Sequence, residues 1–512
     1  MIESSSEVSA RQPLVDLTND AFEAQGTPSK GKRRADDFDG NSKRSEFSDE
    51  PEVVPLPVRR RQLGVYGKLR ALRNGDPIVR HLFSLPTINT LETFVSSNKA
   101  DIFRCQAVES NSFLTPPYAC SYSNASKRGQ ASTLAVATEQ GTVDIINTIQ
   151  RRDWDPEPSR TTLRIHTNGI FDVKWSPSDN FIATASGDRT VTITDPNSST
   201  GAALYQLNGH SHTAKCVAWD PRGNDLLVSG GRDGSICLWD LRAKRRDSNV
   251  DQKPVLSIPF VHEDVPGKAS RKGRVSLTPR SVTSLVYVPD SSHEIISSGS
   301  SNGILRKWDL RLPVLSPENT PKKRAAVKPI EFSAEDLTTV TYEGEYAGVS
   351  STPTRRARGI ISLALGSGPS AGRVFALSND SRVHTYNVSG AAGIPLGVQQ
   401  ADQAYTHRHM IANSFYVRTS VSPCGRWMAT GGVSGSAFLF DVGAGNTDRL
   451  VTEGIELRGQ EGEVGAVDWA YDALATCADD GTVRVWRPDT ETYNKCIENP
   501  EEAKWDWSWG RR

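Results

Sequence analysis

The chain carries no net charge, because 60 basic residues balance 60 acidic ones across 512 positions. No global field draws in nucleic acid or repels acidic surfaces, so any electrostatic recognition has to be local. Long apolar runs are also missing. No stretch approaches ~18 apolar residues, and the first residues form no apolar signal core. The sequence is expected neither to span a membrane nor to be secreted through a cleavable signal. Its seven cysteines (Cys105, Cys120, Cys216, Cys237, Cys424, Cys477, Cys496) are scattered and form no C-x-x-C pair. A disulfide framework and a zinc site are therefore not expected, and a reducing compartment is the simple reading. Catalytic signatures are missing too. There is no G-x-x-x-x-G-K-[ST] and no H-E-x-x-H, so the expectation is a non-catalytic chain with no cofactor and no metal.

What is present is repetition. Residues 1–61 hold 12 acidic and 10 basic side chains among Ser, Gly and Pro, a composition that buries too little to fold and predicts a disordered tail. Beyond it, seven segments read as strand, tight turn, strand: 132–148, 181–195, 226–240, 294–309, 373–388, 427–442 and 473–486. Several are preceded by a further short apolar run, such as 171–180, 215–224 and 464–472. Two copies close on Trp-Asp-Leu-Arg, at Trp239–Arg242 and Trp308–Arg311. A four-stranded unit recurring at about 40–45 residues, with Trp-Asp at the end of its third strand, is the signature of WD repeats. The fold class expected is all-β, a seven-bladed WD40 β-propeller over 62–490. Insertions are expected at about 243–278 and 312–358, with a short Trp-rich extension at 491–512. A strand from within 80–106 is expected to complete the last blade, because ring closure leaves no long free edge. Asp188, Asp233 and Asp480 sit in the tight turns, where an Asp is expected to bond a His opening its blade; His210 and His166 are the visible candidates.

Trp and Asp belong to the repeat, but Arg242 and Arg311 exceed what it needs, since no other blade ends in Asp-x-Arg. Both should emerge on one face of the ring, in adjacent blades. A guanidinium fork suits bidentate contact with a partner's carboxylates or carbonyls; the plainer alternative is an ion pair with the blade's own Asp. On the opposite face the candidate peptide-capturing residues are Asn168, Phe171, Arg232, Asn413, Phe415, Tyr416, Glu463 and Asp479. Phe171 and Phe415 read equally well as core residues of inner strands.

The ordered phrases RQLGVYGKLRALRNG (61–75), GGRDGSICLWDLR (230–242), NGILRKWDLR (302–311), NSFYVRTSVSP (413–423) and TCADDGTVRVWR (476–487) resemble the denticleless family over roughly residues 60–490. W-D-x-R resembles the box by which WD-repeat receptors dock on the triple-propeller, damage-specific DNA-binding adaptor of cullin-4 RING ubiquitin ligases. The resemblance implies adaptor binding through Trp239, Asp240, Arg242, Trp308, Asp309 and Arg311. It also implies capture of replication and cell-cycle regulators presented on PCNA, the sliding clamp, with an acidic residue such as Asp479 or Glu463 meeting a basic residue of the captured peptide. Animal members carry a tail with a clamp-binding motif; no such motif is found here, which makes direct clamp contact doubtful. The competing expectation is a WD40 chromatin or histone-binding scaffold.

The tail adds short signals. Lys32, Arg33 and Arg34 with Lys43 and Arg44 read as a nuclear import signal or as solvated charge, and nuclear localisation is the expectation. The run Leu14-Val15-Asp16-Leu17-Thr18 resembles a SUMO-interacting motif, an extended segment that can add to a sheet edge. Thr27, Thr320 and Thr352 each precede a proline near a basic residue and fit proline-directed kinase sites. Neither a nucleic acid nor a membrane is expected as a direct partner.

Overall fold

The computed structural model describes residues 87–109, 113–198, 201–243, 251–262, 280–289, 291–300, 303–311, 331–332, 359–388, 404–443 and 453–512. All lie in the second of the two units into which the chain divides, 63–512. The expectations placed on 1–61, and most of those on the two insertions, fall outside the described residues.

The repeat folds as an antiparallel meander. In the sheet that ends in the first Trp-Asp, strands Ala214–Trp219, Leu226–Gly231, Ile236–Asp240 and Leu256–Ile258 pair in sequence order. Three further four-stranded sheets repeat it, starting from Pro117–Tyr122, Val282–Tyr287 and Ile360–Leu365, and a five-stranded sheet starts from Ile170–Trp175. The sixth sheet has ten strands and holds the meanders that begin at Thr419–Val421 and Val464–Trp469. Innermost strands pack side by side in chain order, and Val464–Trp469 returns to pack against Pro117–Tyr122, so the ring closes. The architecture is an all-β propeller.

The tight turns between second and third strands need a left-handed residue. Gly234 (φ 72°) and Gly481 (φ 77°) supply it without strain, whereas Arg189 (φ 76°) and Ser381 (φ 60°) adopt it at the same place. Between neighbouring sheets the Trp residues fill the core. Trp239 is fully buried, and its indole N–H donates to Ser229 Oγ at 2.8 Å. Ser229 Oγ is hydrogen-bonded to His210 Nε2 at 2.8 Å, and His210 Nδ1 lies 3.2 Å from Asp233. This chain ties the start, middle and end of one repeat together, and burial makes each of its links expensive to break. Asp188 and His166 meet as expected, at 2.8 Å. Asp480 does not meet a histidine. Its carboxylate accepts the Glu461 N–H, and Gln460 takes the histidine's place by accepting from Thr476, which also accepts from Trp486. His262 fills the role before Trp308, reaching the shared Ser297 hydroxyl at 3.0 Å. Sequence reading missed it because the first insertion separates it from the preceding repeat.

The ring is fastened at its flank. Phe94–Ser97 and Ile102–Arg104 both pair with Thr482–Pro488, supplying the expected closing strand. Residues 491–512 are no loose appendage. Asp489 caps helix α1 (Thr490–Glu498) through the N–H groups of Glu491 and Thr492. The chain then returns as strand Trp507–Arg511, wedged between Phe94–Ser97 and Ile455–Arg458. Trp509 is buried there against Val95 and Cys496, while Trp505 stays exposed.

Candidate functional site

The first strand of six meanders carries the same irregularity. Register slips at its second residue, so Tyr118, Phe171, Lys215, Thr283, Ile361 and Gly465 stand out of the ladder. A bulge leaves one residue unpaired and re-aims it. Repeated around a ring, bulges gather these residues at the upper mouth of the central channel. There Tyr118 stacks on Phe171 with ring centroids 5.8 Å apart, and Tyr416 lies 4.8 Å from Tyr118 and 5.9 Å from Phe171. Phe415 leans on Tyr416 at 4.2 Å and remains 55% exposed.

Arg418 crosses this mouth. Its guanidinium donates to the carbonyls of Phe171 (3.1 Å), Lys215 (3.2 Å) and Thr283 (3.3 Å), drawn from three different sheets. Below it lies a polar cavity of about 360 Å³ lined by Lys127, Asp172, Lys174 and Asp468. Asp468 accepts from the Tyr122 N–H and the Ser420 hydroxyl and pairs with Lys127 at 3.0 Å, so the buried charge is met on several sides.

Carboxylates flank the aromatic group. The Asp479 N–H donates to the Glu463 carbonyl at 3.0 Å. Burial, then the neighbouring Asp480 and Glu139, push the Asp479 carboxyl up. Burial likewise raises that of Glu463, whose Oε1 has no hydrogen-bond partner. Burial raises the Tyr118 phenol, and its hydrogen bond with Glu139 adds to the effect.

The candidates of the capturing face therefore separate. Phe171, Phe415 and Tyr416 come together at the mouth, with Glu463 and Asp479 on one side. Phe171 is half-buried among aromatic rings at the channel mouth, so the alternative of a core side chain is corrected. Phe415 is likewise no core residue. Arg232 stands exposed close enough to act electrostatically on Lys215. Asn168 turns back on its own loop, accepting the Gly169 N–H at 2.7 Å, and Asn413 is exposed. Tyr118, Glu139, Lys215 and Arg418 were missed. For Tyr118 and Lys215 the sequence signal was position, since a bulge residue precedes the alternating run that betrays the strand; Glu139 and Arg418 stand just outside strands and carry no such signal.

On the opposite face the two Trp-Asp-Leu-Arg segments adopt one geometry. Arg242 Nε and Nη2 bond both oxygens of Asp240, each at 3.0 Å. Arg311 does the same to Asp309, at 3.1 and 2.8 Å. Asp240 pairs in register with Leu226 and Asp309 with Glu294, so both forks sit where a third strand leaves the sheet. The Arg side chains remain 62% and 61% exposed. Each is paired with its own blade's Asp, yet remains largely open to solvent. Trp239 and Trp308 are buried and hold the strand ends rather than offering contact surface.

Three stretches, 157–195, 201–240 and 452–487, match the WD domain, G-beta repeat family. Along most of its length the chain is similar to the denticleless protein homolog of Danio rerio, with 28% identity over 76% of this chain and 55% of that protein. It is similar to denticleless protein homolog B of Xenopus laevis at 30% identity, over 76% of this chain and 49% of the other. It also resembles the cell division cycle protein cdt2 of Schizosaccharomyces pombe at 30% identity, over 69% of this chain and 66% of that one. The chain belongs to the denticleless family. It spans about half the length of the animal denticleless proteins it matches. Among the described residues of this denticleless-family chain, no helix is long and apolar enough to cross a membrane. Lys32, Arg33, Arg34, Lys43, Arg44, the Leu14–Thr18 run, Thr27, Thr320 and Thr352 lie outside the described residues.

Proposed function

We propose that this chain is the substrate-recognition subunit of a cullin-4 RING ubiquitin ligase, acting in the nucleus on PCNA-bound replication and cell-cycle regulators. The ten-stranded sheet is read as two blades joined along their outer edges, which makes seven in all. The observation that carries the proposal is the pair of Asp–Arg forks. An exposed ion pair adds little to fold stability, so two identical ones at equivalent strand ends are better explained by a shared partner. The intra-blade pairing pre-sets the guanidinium direction, and the exposed guanidinium would meet carboxylates or carbonyls of the adaptor.

The receptor itself does no chemistry; it positions a bound protein for a ubiquitin-conjugating enzyme recruited by the ligase. Capture falls to the opposite face, where Phe415 and Tyr416 offer aromatic area and, among the described residues, Glu463 and Asp479 form no salt bridge with a basic side chain. A captured peptide with an apolar anchor and a basic residue would satisfy both. The tail would contribute import through its basic clusters and contact to SUMO through Leu14–Thr18.

Co-purification tests the docking. Wild type should retain the triple-propeller adaptor, and Arg242→Ala with Arg311→Ala should lose it at an unchanged thermal midpoint. Adaptor retained by the double variant would overturn this reading and favour the chromatin-scaffold alternative. Asp479→Lys with Glu463→Lys should abolish substrate binding while leaving adaptor binding intact.

A further inference from the structure

The aromatic group at the channel mouth encloses a cation that belongs to the chain itself. Lys215 Nζ lies 3.9 Å from the Phe171 ring centroid, 4.0 Å from that of Phe415 and 5.8 Å from that of Tyr416. Tyr118 backs Phe171 and Tyr416. Cations are held over ring faces within about 6 Å of the centroid, and several rings around one site form the cage used to recognise quaternary ammonium groups.

Lys215 fits this cage badly. Its ammonium has three N–H donors, and among the described residues it makes no hydrogen bond and no ion pair. Buried polar groups left without acceptors are costly. Burial, with Arg418 and Arg232 adding repulsion, pulls its pKa down to about 7. A methylated ammonium keeps the charge that the rings attract but sheds the donors that the site leaves unpaired. The exit is open, since Phe415 is more than half exposed on a loop and Lys215 is carried on a long side chain that can swing outwards.

We propose that Tyr118, Phe171, Phe415 and Tyr416 form a cage for a methylated lysine of a partner protein, with Lys215 as its resident plug. The cage stands apart from adaptor docking, which uses the other face.

The test uses the full chain and two peptides, Gly-Ser-Lys-Ser-Gly and the same peptide with trimethyllysine, followed by saturation-transfer NMR. Wild type should bind the methylated peptide at least fivefold more tightly than the unmodified one. Lys215→Ala, which empties the cage, should tighten the methylated peptide at least tenfold further. Adding Phe415→Ala should return it to background. In unmutated protein, an amine-reactive label should modify Lys215 at least threefold faster when the methylated peptide is present, because the plug is displaced; this readout survives if Lys215→Ala fails to fold. Equal affinity for the two peptides, binding indifferent to Phe415→Ala, or unchanged Lys215 labelling would each overturn the proposal. No ligase component enters the experiment, so its outcome is independent of the docking result.

Discussion

Replacing Arg418 with Met probes how the channel mouth is held. The guanidinium now donates to three carbonyls from three sheets. Hydrogen bonds to charged groups contribute about 1.5–3 kcal/mol each, so the gross loss is roughly 5–9 kcal/mol. Much of it returns, because the polar cavity beneath can admit water to the exposed carbonyls. A net loss of about 2–4 kcal/mol is therefore expected. A domain of roughly 400 residues shifts its midpoint by only about 1 °C per kcal/mol, which places the change at about 2–5 °C. Urea unfolding should show the lower midpoint with an unaltered slope, since the surface exposed on unfolding is the same. A second readout is local. Arg418 is the larger of the two charges that depress Lys215, so in Arg418→Met the Lys215 amine should titrate above about 7, measurable by pH-dependent amine labelling and peptide mass spectrometry. Arg418→Lys keeps a charge but cannot span three carbonyls; it should preserve the Lys215 profile and lose roughly half the stability. An unchanged urea midpoint together with an unchanged Lys215 profile in Arg418→Met would refute the reasoning.

Trp239→Phe removes the indole donor to Ser229 inside a filled core, and calorimetry should report a loss of about 1–3 kcal/mol. Trp509→Ala should cost about 3–5 kcal/mol by chemical denaturation, since it empties the buried position between the terminal strands. Glu456 links stability to acid. Burial opposes its ionisation, but Arg458, His409 and Ser436 outweigh that and hold the carboxyl down to about 2. Its contribution is thus complete above the unfolded value of 4.5 and is lost as pH falls towards 2. Circular dichroism over that window should show Glu456→Gln with a shallower loss of stability than wild type.

Most of the architecture was legible because strand alternation and turn chemistry are local. The segment 226–240, for example, becomes strands Leu226–Gly231 and Ile236–Asp240, with Gly234 turning between them. The first strands at Pro117–Tyr122 and Ile360–Leu365 went unmarked; neither ends in the Trp that closes Ile170–Trp175, Ala214–Trp219 and Val464–Trp469. The terminal strand Trp507–Arg511 was illegible for another reason. Its partners lie more than 50 and more than 400 residues away in sequence, and nothing in five residues announces them. At the candidate site, exposed aromatic and acidic types could be named from loop position. Their assembly could not, because a bulge is a register event between two strands and Arg418 bonds backbone rather than side chains.

The terminal strand also sets how the molecule comes apart under force. Trp507–Arg511 hydrogen-bonds Phe94–Ser97 on one edge and Ile455–Arg458 on the other. A machine that grips the chain at Arg512 must shear this strand from both neighbours before any repeat yields. Seized near residue 404, it meets the two-residue strand Ala404–Tyr405, which among the described residues pairs with Arg382–Asn387 alone before Thr406 bridges to Glu453. The same protein is thus mechanically stiff at one handle and weak at another, and the site of engagement, rather than overall stability, decides which repeat opens first.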